Sequence, residues 1–335
     1  MPSHLITRRN ALVLAAASCA TGPWLHAQTK GAASAGDYPN HPVRQIVPFS
    51  AGGTSDVLAR ALGASLGKLL NQSIIVENRP GANGNLGSDA VAKAAPDGYS
   101  LLLAADGTMA INPALYPNLS FKPERDFIAI SRVAVVPLLI VASTSLKANT
   151  LQEVVALSKT GNTSLDYSSA GIGSAGHLTA ELLIARTGAR MTHVPYKGGG
   201  QAITDVVSGQ VPLMVTAYAT AGPFIQSGKL KAIAVTSAQR LPNLPDVPTV
   251  QESGVPDFDA ASWYGLMAPA RTPEPIIARL HAALAQAMSG DELKTRFNNF
   301  GAVPVLDTPA KFQALLRSDI TRWAQVVKTN NITLN

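Results

Sequence analysis

Apolar residues along this chain follow two patterns in turn. Val43, Ile46, Val47 and Phe49 form a short buried run, and Val57, Leu58, Ala61, Leu62, Leu66, Leu69 and Leu70 then recur at helical spacing. Strands are expected at 73–76 and 100–104, on either side of a helix at 90–94. That is a βαβαβ succession, which implies a parallel sheet covered by helices. The run at 133–141 is the first apolar stretch long enough to pass between two lobes. A second series follows it: helix 151–158, strand 165–168, helix 175–185, strand 191–195, helix 201–207, and strands 211–216 and 230–235. Beyond a loose Leu/Pro stretch at 241–248 come an apolar segment at 261–269 and two amphipathic helices. One presents Ile276, Ile277, Leu280, Leu284 and Met288, the other Phe312, Leu315, Leu316, Ile320, Trp323, Val326 and Val327. The second series already has its own sheet, so these helices are assigned to the first. The expected organisation is a discontinuous first domain, 38–136 with 237–335, and a second domain, 137–236.

Composition refines this picture. Of 335 residues, 46% are hydrophobic and only 14% charged, enough for a large core. Arg8 and Arg9, the apolar residues 11–20 and Leu25-His26-Ala27 read as an export leader cleaved after Ala27. That stretch is too short to span a membrane permanently. Thr7-Arg8-Arg9 partly resembles a twin-arginine signal, and Ser18-Cys19 faintly resembles a lipoprotein cleavage site. Sec export, twin-arginine export and a lipid anchor at Cys19 therefore all stay open. Residues 28–37 read as a flexible lead-in. Cleavage leaves 27 less two basic residues against 21 acidic ones, a net +4, and removes Cys19, the single cysteine. The mature chain then has neither a disulfide nor a cysteine metal site. Spread positive charge and only 5% aromatic residues argue against a nucleic-acid groove and favour small anions.

The candidate chemistry sits where strands run into helices. Gly52 and Gly53 precede a helix whose first N–H groups have no partner within it; Thr54 or Ser55 can cap. Such a start attracts an anion without needing a cationic side chain. The second series repeats the arrangement at Ser168, Ser169, Ala170, Gly171, Ile172, Gly173, Ser174, Ala175, Gly176 and His177. Gly171, Gly173 and Gly176 match the dinucleotide-binding spacing, but the acid expected about 20 residues on is missing from 191–197. Ile172 stands where a nucleophile elbow around Ser174 needs glycine. His41, His177, His193 and His281 lie far apart, so neither a metal nor another cofactor is expected, and no catalytic pair is found. His177 either touches the site or caps and packs; Lys197 either reaches an anion or stays solvated. Trp263, Tyr264 and Tyr218 either line a cleft or fill the core.

Several stretches resemble the Bug family, the substrate-binding receptors of tripartite tricarboxylate transporters. They are Tyr38-Pro39, Ile46-Val47-Pro48-Phe49-Ser50-Ala51-Gly52-Gly53-Thr54-Ser55-Asp56 and Val76-Glu77-Asn78-Arg79-Pro80-Gly81-Ala82, then Pro96-Asp97-Gly98-Tyr99 and Asn112-Pro113-Ala114-Leu115-Tyr116. Further on come His193-Val194-Pro195-Tyr196-Lys197-Gly198, Leu244-Pro245-Asp246-Val247-Pro248-Thr249 and Ser262-Trp263-Tyr264-Gly265-Leu266. The resemblance implies an α/β, two-lobed periplasmic binding protein (type II-like) with parallel-rich sheets flanked by helices and a ligand cleft at the hinge. It implies a monomer that captures a small carboxylate and passes it to membrane transporter subunits. Carried over from the family, the grip comprises Phe49, Ser50, Ala51, Gly52 and Gly53 with Asp56, and Ser169, Ala170, Gly171, Gly173 and Ser174 with His177. Asp106, Thr108 and Met109 would contribute from the first lobe, and Lys197, Thr216 and Tyr218 complete the candidate set.

One departure bears on the ligand. Many members carry Asp-Asn after the strand in which this chain has Leu213-Met214-Val215, and here Thr216-Ala217 follow. Threonine offers no charge to an ammonium group, so a non-amino carboxylate is expected. Two rivals remain: a periplasmic sensor that shows its bound carboxylate to a signalling partner, and a nucleotide-dependent enzyme.

Overall fold

The computed structural model describes residues 38–160, 164–196 and 198–334. The expected leader, the lead-in and Lys197 lie outside these residues. The first sheet begins with β1 (Val43–Val47), α1 (Thr54–Leu70), β2 (Ile74–Asn78), a 3-10 turn (Ala82–Gly84), α2 (Asn85–Ala92) and β3 (Ser100–Ala105). A π-turn (Gly107–Ile111), α3 (Asn112–Leu115), α4 (Pro123–Asp126) and β4 (Phe127–Val136) follow. Pro137 alone separates β4 from β5 (Leu138–Ser143), the first strand of the second sheet. That sheet continues through α5 (Leu151–Lys159), β6 (Leu165–Ser169), α6 (Ala175–Thr187), β7 (Met191–Pro195), α7 (Gly199–Ser208), β8 (Leu213–Ala217), α8 (Tyr218–Gln226) and β9 (Leu230–Val235). The chain returns through β10 (Ser262–Pro269), α9 (Glu274–Ser289), α10 (Asp291–Asn299), β11 (Val303–Pro304) and α11 (Pro309–Thr329).

Strand order is β11-β4-β10-β3-β1-β2 in the first sheet and β7-β6-β8-β5-β9 in the second. The parallel trios β3-β1-β2 and β7-β6-β8 are the parts built by helical crossovers. Antiparallel pairing begins where the chain changes sheets, at β4, β10 and β11 on one side and at β5 and β9 on the other. Helices cover both faces of each sheet. In the first, α1, α9 and α10 bury Leu58, Leu62, Leu66, Ile276, Leu280 and Phe297 on one face, while Val91, Phe312, Leu316 and Trp323 cover the other. In the second, α5 and α6 face α7 and α8 across the strands.

The structure departs from the expected pattern in several places, among them α10, a third helix where the sequence reading expects two. Helix α8 occupies a stretch the periodicity left unassigned, because Gly222 and Pro223 interrupt its apolar face. Residues 241–260, given above to the first domain, pack on the second sheet: Val250, Val255, Phe258 and Ala260 join Leu138, Leu213 and Val215 in one cluster. These residues therefore lie with the second sheet, and Ser262 opens the strand that returns to the first. Trp263 and Tyr264 belong to the core side of their alternatives. The Trp263 indole stands edge-to-face on Phe312 and donates to Asp319 at 2.7 Å, and Tyr264 packs against the first cluster.

The two crossings are laced together. Ser262 pairs with Val136 in the first sheet. One step further, the fully buried Thr236 accepts from the Leu138 N–H through its hydroxyl (3.1 Å) and donates from it to the Ala260 carbonyl (3.3 Å). Its own N–H donates to Leu138 (2.9 Å), and the Ala260 N–H donates back to Thr236 (3.0 Å). Thr236→Val keeps the shape but leaves a buried donor and acceptor unmatched. Urea unfolding is expected to show a loss of about 1–3 kcal/mol; an unchanged midpoint would remove the hydroxyl from this role.

Candidate functional site

Among the helices and turns that start after a strand, four carry candidate residues: α1 after β1, the π-turn after β3, α6 after β6 and α8 after β8. The first N–H groups of each have no partner inside the helix. Among the described residues no side chain caps α1 or α8, whose N-cap residues are Gly53 and Ala217. Ser50, Ala51, Gly52 and Gly53 are exposed, so the start of α1 is open to a ligand. Gly52 turns the chain at φ +82°, a conformation that favours glycine.

This loop is held from behind. Asp56, in the first turn of α1 and 4% exposed, accepts from the Gly52 N–H (2.9 Å), from Arg60 Nε (3.1 Å) and from Asn78 Nδ2 (3.0 Å). Asn78 Nδ2 also donates to the Phe49 carbonyl at 3.1 Å. Burial pushes the Asp56 carboxyl up, but the bonds from Arg60, Gly52 and Asn78 outweigh it and hold the group below the usual carboxylate range. Both oxygens are committed, so Asp56 fixes the shape of the loop.

Phe49 and Thr108 meet around Gly84, with Phe49 Cζ 3.2 Å from where a β-carbon on that glycine would sit. The Thr108 hydroxyl donates to the Asn83 carbonyl (3.0 Å), which Asn112 Nδ2 also contacts at 3.0 Å. Residues 81–84 all have positive φ, and this amide network holds Asn83 in that conformation. The Met109 side chain is in the core with Leu102 and Trp263. Asp106, 3% exposed, accepts from Ser262 Oγ at 2.5 Å and thus adjoins the crossing. Burial pushes its carboxyl up to about 7; the Ser262 and Gly107 hydrogen bonds oppose this, and the charge of Asp319 adds to it.

On the second lobe, Ser174 caps α6 by accepting from the His177 N–H (3.3 Å), and its hydroxyl donates to Ser169 Oγ (3.2 Å). Ser169 Oγ also accepts from the Gly171 N–H at 3.1 Å and lies 2.7 Å from His193 Nε2. His177 is on the packing side of its alternatives. Its Nδ1 accepts from the Gly173 N–H (3.1 Å), and its ring stacks on His193 with centroids 3.9 Å apart. Because Nδ1 accepts, the proton of the neutral ring is on Nε2. Burial lowers both rings, to about 3 for His177, helped by His193, and to about 4 for His193. Gly176 brings α6 close to the Val215 carbonyl. Ala170, Gly171 and Ser174 keep exposed surface. At the end of β8, Thr216 is 8% exposed, and the Tyr218 hydroxyl accepts from Gln226 (2.8 Å).

The structure brings the loops after β3 and β6 together: Leu115 Cδ1 lies 2.6 Å from the β-carbon position of Gly173. Gly301 similarly abuts Tyr218, at 2.6 Å. Sequence reasoning gave no site role to Asn78, Asn83, His193 or Thr236; Asn78 and His193 carried a signal, since each lies in a stretch that resembles the family, while Asn83 and Thr236 carried none. Among the described residues no group of three His, Cys, Asp or Glu could hold a metal, and no helix is long and apolar enough to cross a membrane.

A family model described as tripartite tricarboxylate transporter family receptor matches residues 58–332. The chain is 37% identical over 302 residues to protein BugT of Bordetella pertussis, covering 90% of this chain and 93% of that one. Its fold is similar to that of Rhodopseudomonas palustris Rpa4515 with adipate (TM-score 0.81, 34% identity, 89% of this chain and 99% of that one). It is also similar to MatC from the same organism with bound malate (TM-score 0.76, 35% identity, 87% and 100%).

The titrating groups predict opposite pH effects. The His177–His193 pair binds fewer protons folded than unfolded between the ordinary value of 6.5 and about 4, so its contribution is present above 6.5 and lost as pH falls through that window. Asp106 binds more protons folded than unfolded between 3.8 and about 7, so its contribution is present below 3.8 and lost as pH rises to 7. Urea titrations should show that His193→Gln reduces the loss of stability from pH 7 to pH 4. Asp106→Asn should gain relative to the unsubstituted protein from pH 5 to pH 8. Parallel curves would refute the assignment concerned.

Proposed function

The chain belongs to the tripartite tricarboxylate transporter receptor family, and we propose that it binds a small dicarboxylate between its lobes in the periplasm and delivers it to a tripartite transporter. The observation that carries this reading is the open start of α1. Exposed residues 50–53 lead into N–H groups that no side chain caps, on a loop pinned by Asp56 and Asn78. A carboxylate satisfies those donors and the positive end of the helix together. In this reading Ala170, Gly171 and Ser174 receive the ligand from the second lobe, with Thr216 at its far end. Phe49, Asp56, Asp106, Thr108, Met109, His177 and Tyr218 support these groups from behind. Export with cleavage after Ala27, and action as a monomer, belong to the same proposal.

Two observations favour a non-amino ligand. The end of β8 offers Thr216 and Ala217, neither of which can neutralise an ammonium group, and Asp106 is already committed to Ser262. Relatives hold adipate and malate, which are dicarboxylates without an amino group. Charged hydrogen bonds contribute about 1.5–3 kcal/mol each, so four give about 6–12. Association costs at least about 4 kcal/mol, and micromolar binding requires about 8 net. The carboxylate grip therefore needs closure of the lobes and contacts to the rest of the ligand.

Calorimetry with adipate, malate, succinate and glutarate, alongside aspartate and glutamate as matched amino acids, tests the reading. Binding of at least one dicarboxylate, tighter than that of its amino counterpart, is expected. A clear preference for the amino acid would sink the ligand class, and silence across the dicarboxylates would sink the dicarboxylate reading. At Gly53, where φ is −80° and the nearest atom to a β-carbon is the Ser50 carbonyl at 3.6 Å, a side chain fits the fold but crowds the donors. Gly53→Val should keep the melting temperature and lose one charged hydrogen bond or its equivalent, about 10- to 150-fold in affinity.

A further inference from the structure

The C-terminal segment leaves the first lobe for the second. After α11, Asn331 turns the chain at φ +48° and the Ile332 N–H donates back to the Val327 carbonyl at 3.0 Å. Ile332 and Leu334 then pack on the apolar cluster that Phe312, Leu316, Trp323 and Val326 of α11 share with Leu178 of α6; Leu182 also packs against it. Leu334 Cδ2 lies 3.9 Å from the β-carbon position of Gly173, which Leu115 also approaches. Residues 330–333, with Ile172, His177, Glu181 and His193, line a shallow, open pocket of about 230 Å³ beside the same loop.

We propose that residues 330–334 are a positioning strap, in which Ile332 and Leu334, carried by a first-lobe helix, hold the 169–174 loop of the second lobe in the geometry that receives the ligand. The proposal rests on the dicarboxylate reading above. The middle of the loop is small: Gly171 and Gly173 adopt φ +133° and +75° and bring no side chain of their own to hold that conformation. The Ser169 and Ser174 hydroxyls brace its two ends, and what meets the glycines between them comes from outside: His177 Nδ1 on the Gly173 N–H, Leu115, and the strap. Donors that recognise a carboxylate through the backbone tolerate little displacement, because a shift of about 1 Å at a binding group can cost on the order of a hundredfold in function. The strap also couples the lobes, since separating them at this point must break the packing of Ile332 and Leu334 on the cluster that includes Leu178 of α6.

The test uses the full chain with Leu334→Ala, a second form ending at Asn331, and Leu334→Met as the conservative variant. Amide hydrogen exchange at 169–174 is measured without ligand, and calorimetry gives the dissociation constant for adipate or whichever dicarboxylate the unsubstituted protein binds. Leu334→Ala and the truncated form should exchange faster at 169–174 by on the order of tenfold, with β1 and β3 unchanged, and should bind on the order of tenfold more weakly. Leu334→Met should restore both. Unchanged exchange and affinity would overturn the proposal, as would faster exchange spread evenly over the first sheet, which would mean a structural role only. If exchange responds locally but the unsubstituted protein binds no dicarboxylate, the strap stands and the ligand reading fails.

Discussion

Two chain crossings join the sheets, and both are tied at one buried hydroxyl. Thr236 receives the outgoing chain at Leu138 and grips the returning chain at Ala260, so the backbone can bend there only by straining hydrogen bonds that no water replaces. Everything beyond this point is positioned relative to it. Asp106 accepts from Ser262, the first residue of the returning strand, and the π-turn that follows Asp106 carries Thr108 to the loop at Gly84. The first-lobe jaw is thus built outward from the crossing, through short polar links buried enough to be stiff.

The two jaws are stiffened by different chemistry. The first uses charge: Asp56 stays ionised because Arg60, Gly52 and Asn78 surround it. The second uses neutral groups: stacked His177 and His193, with Ser169 and Ser174 hydroxyls, kept uncharged by burial. Neither Asp56 nor Asp106 presents a free carboxylate at these loops, because both are turned inward and bonded.

Much of this was legible in the chain. Alternating periodicities placed the parallel trios, because each strand and helix there has a regular apolar face, and the glycines at 52–53 and 171–173 marked the turns. Other features were hidden for identifiable reasons. Pro223 and Gly222 concealed α8. Leu241, Val250, Val255 and Phe258 have no period, since an irregular segment packs by position and leaves no repeat to read. The part played by Asp56 in α1 depends on Asn78, 22 residues away on β2, and that of His177 in α6 on His193 of β7. Local sequence supplies the groups, and only the fold decides which of them face the ligand and which stand behind it.

The open start of α1 has one more consequence. Its donors are peptide N–H groups, and no substitution other than proline removes a peptide N–H. On the carboxylate reading proposed above, charge recognition is therefore insulated from mutational drift in the loop, provided the glycines keep its shape. The end of β8 has no such protection, because what it offers is set by the side chains of Thr216 and its neighbours. On the same reading, descendants of such a protein can exchange one cargo for another by altering a few residues in the second lobe while inheriting the anion grip intact.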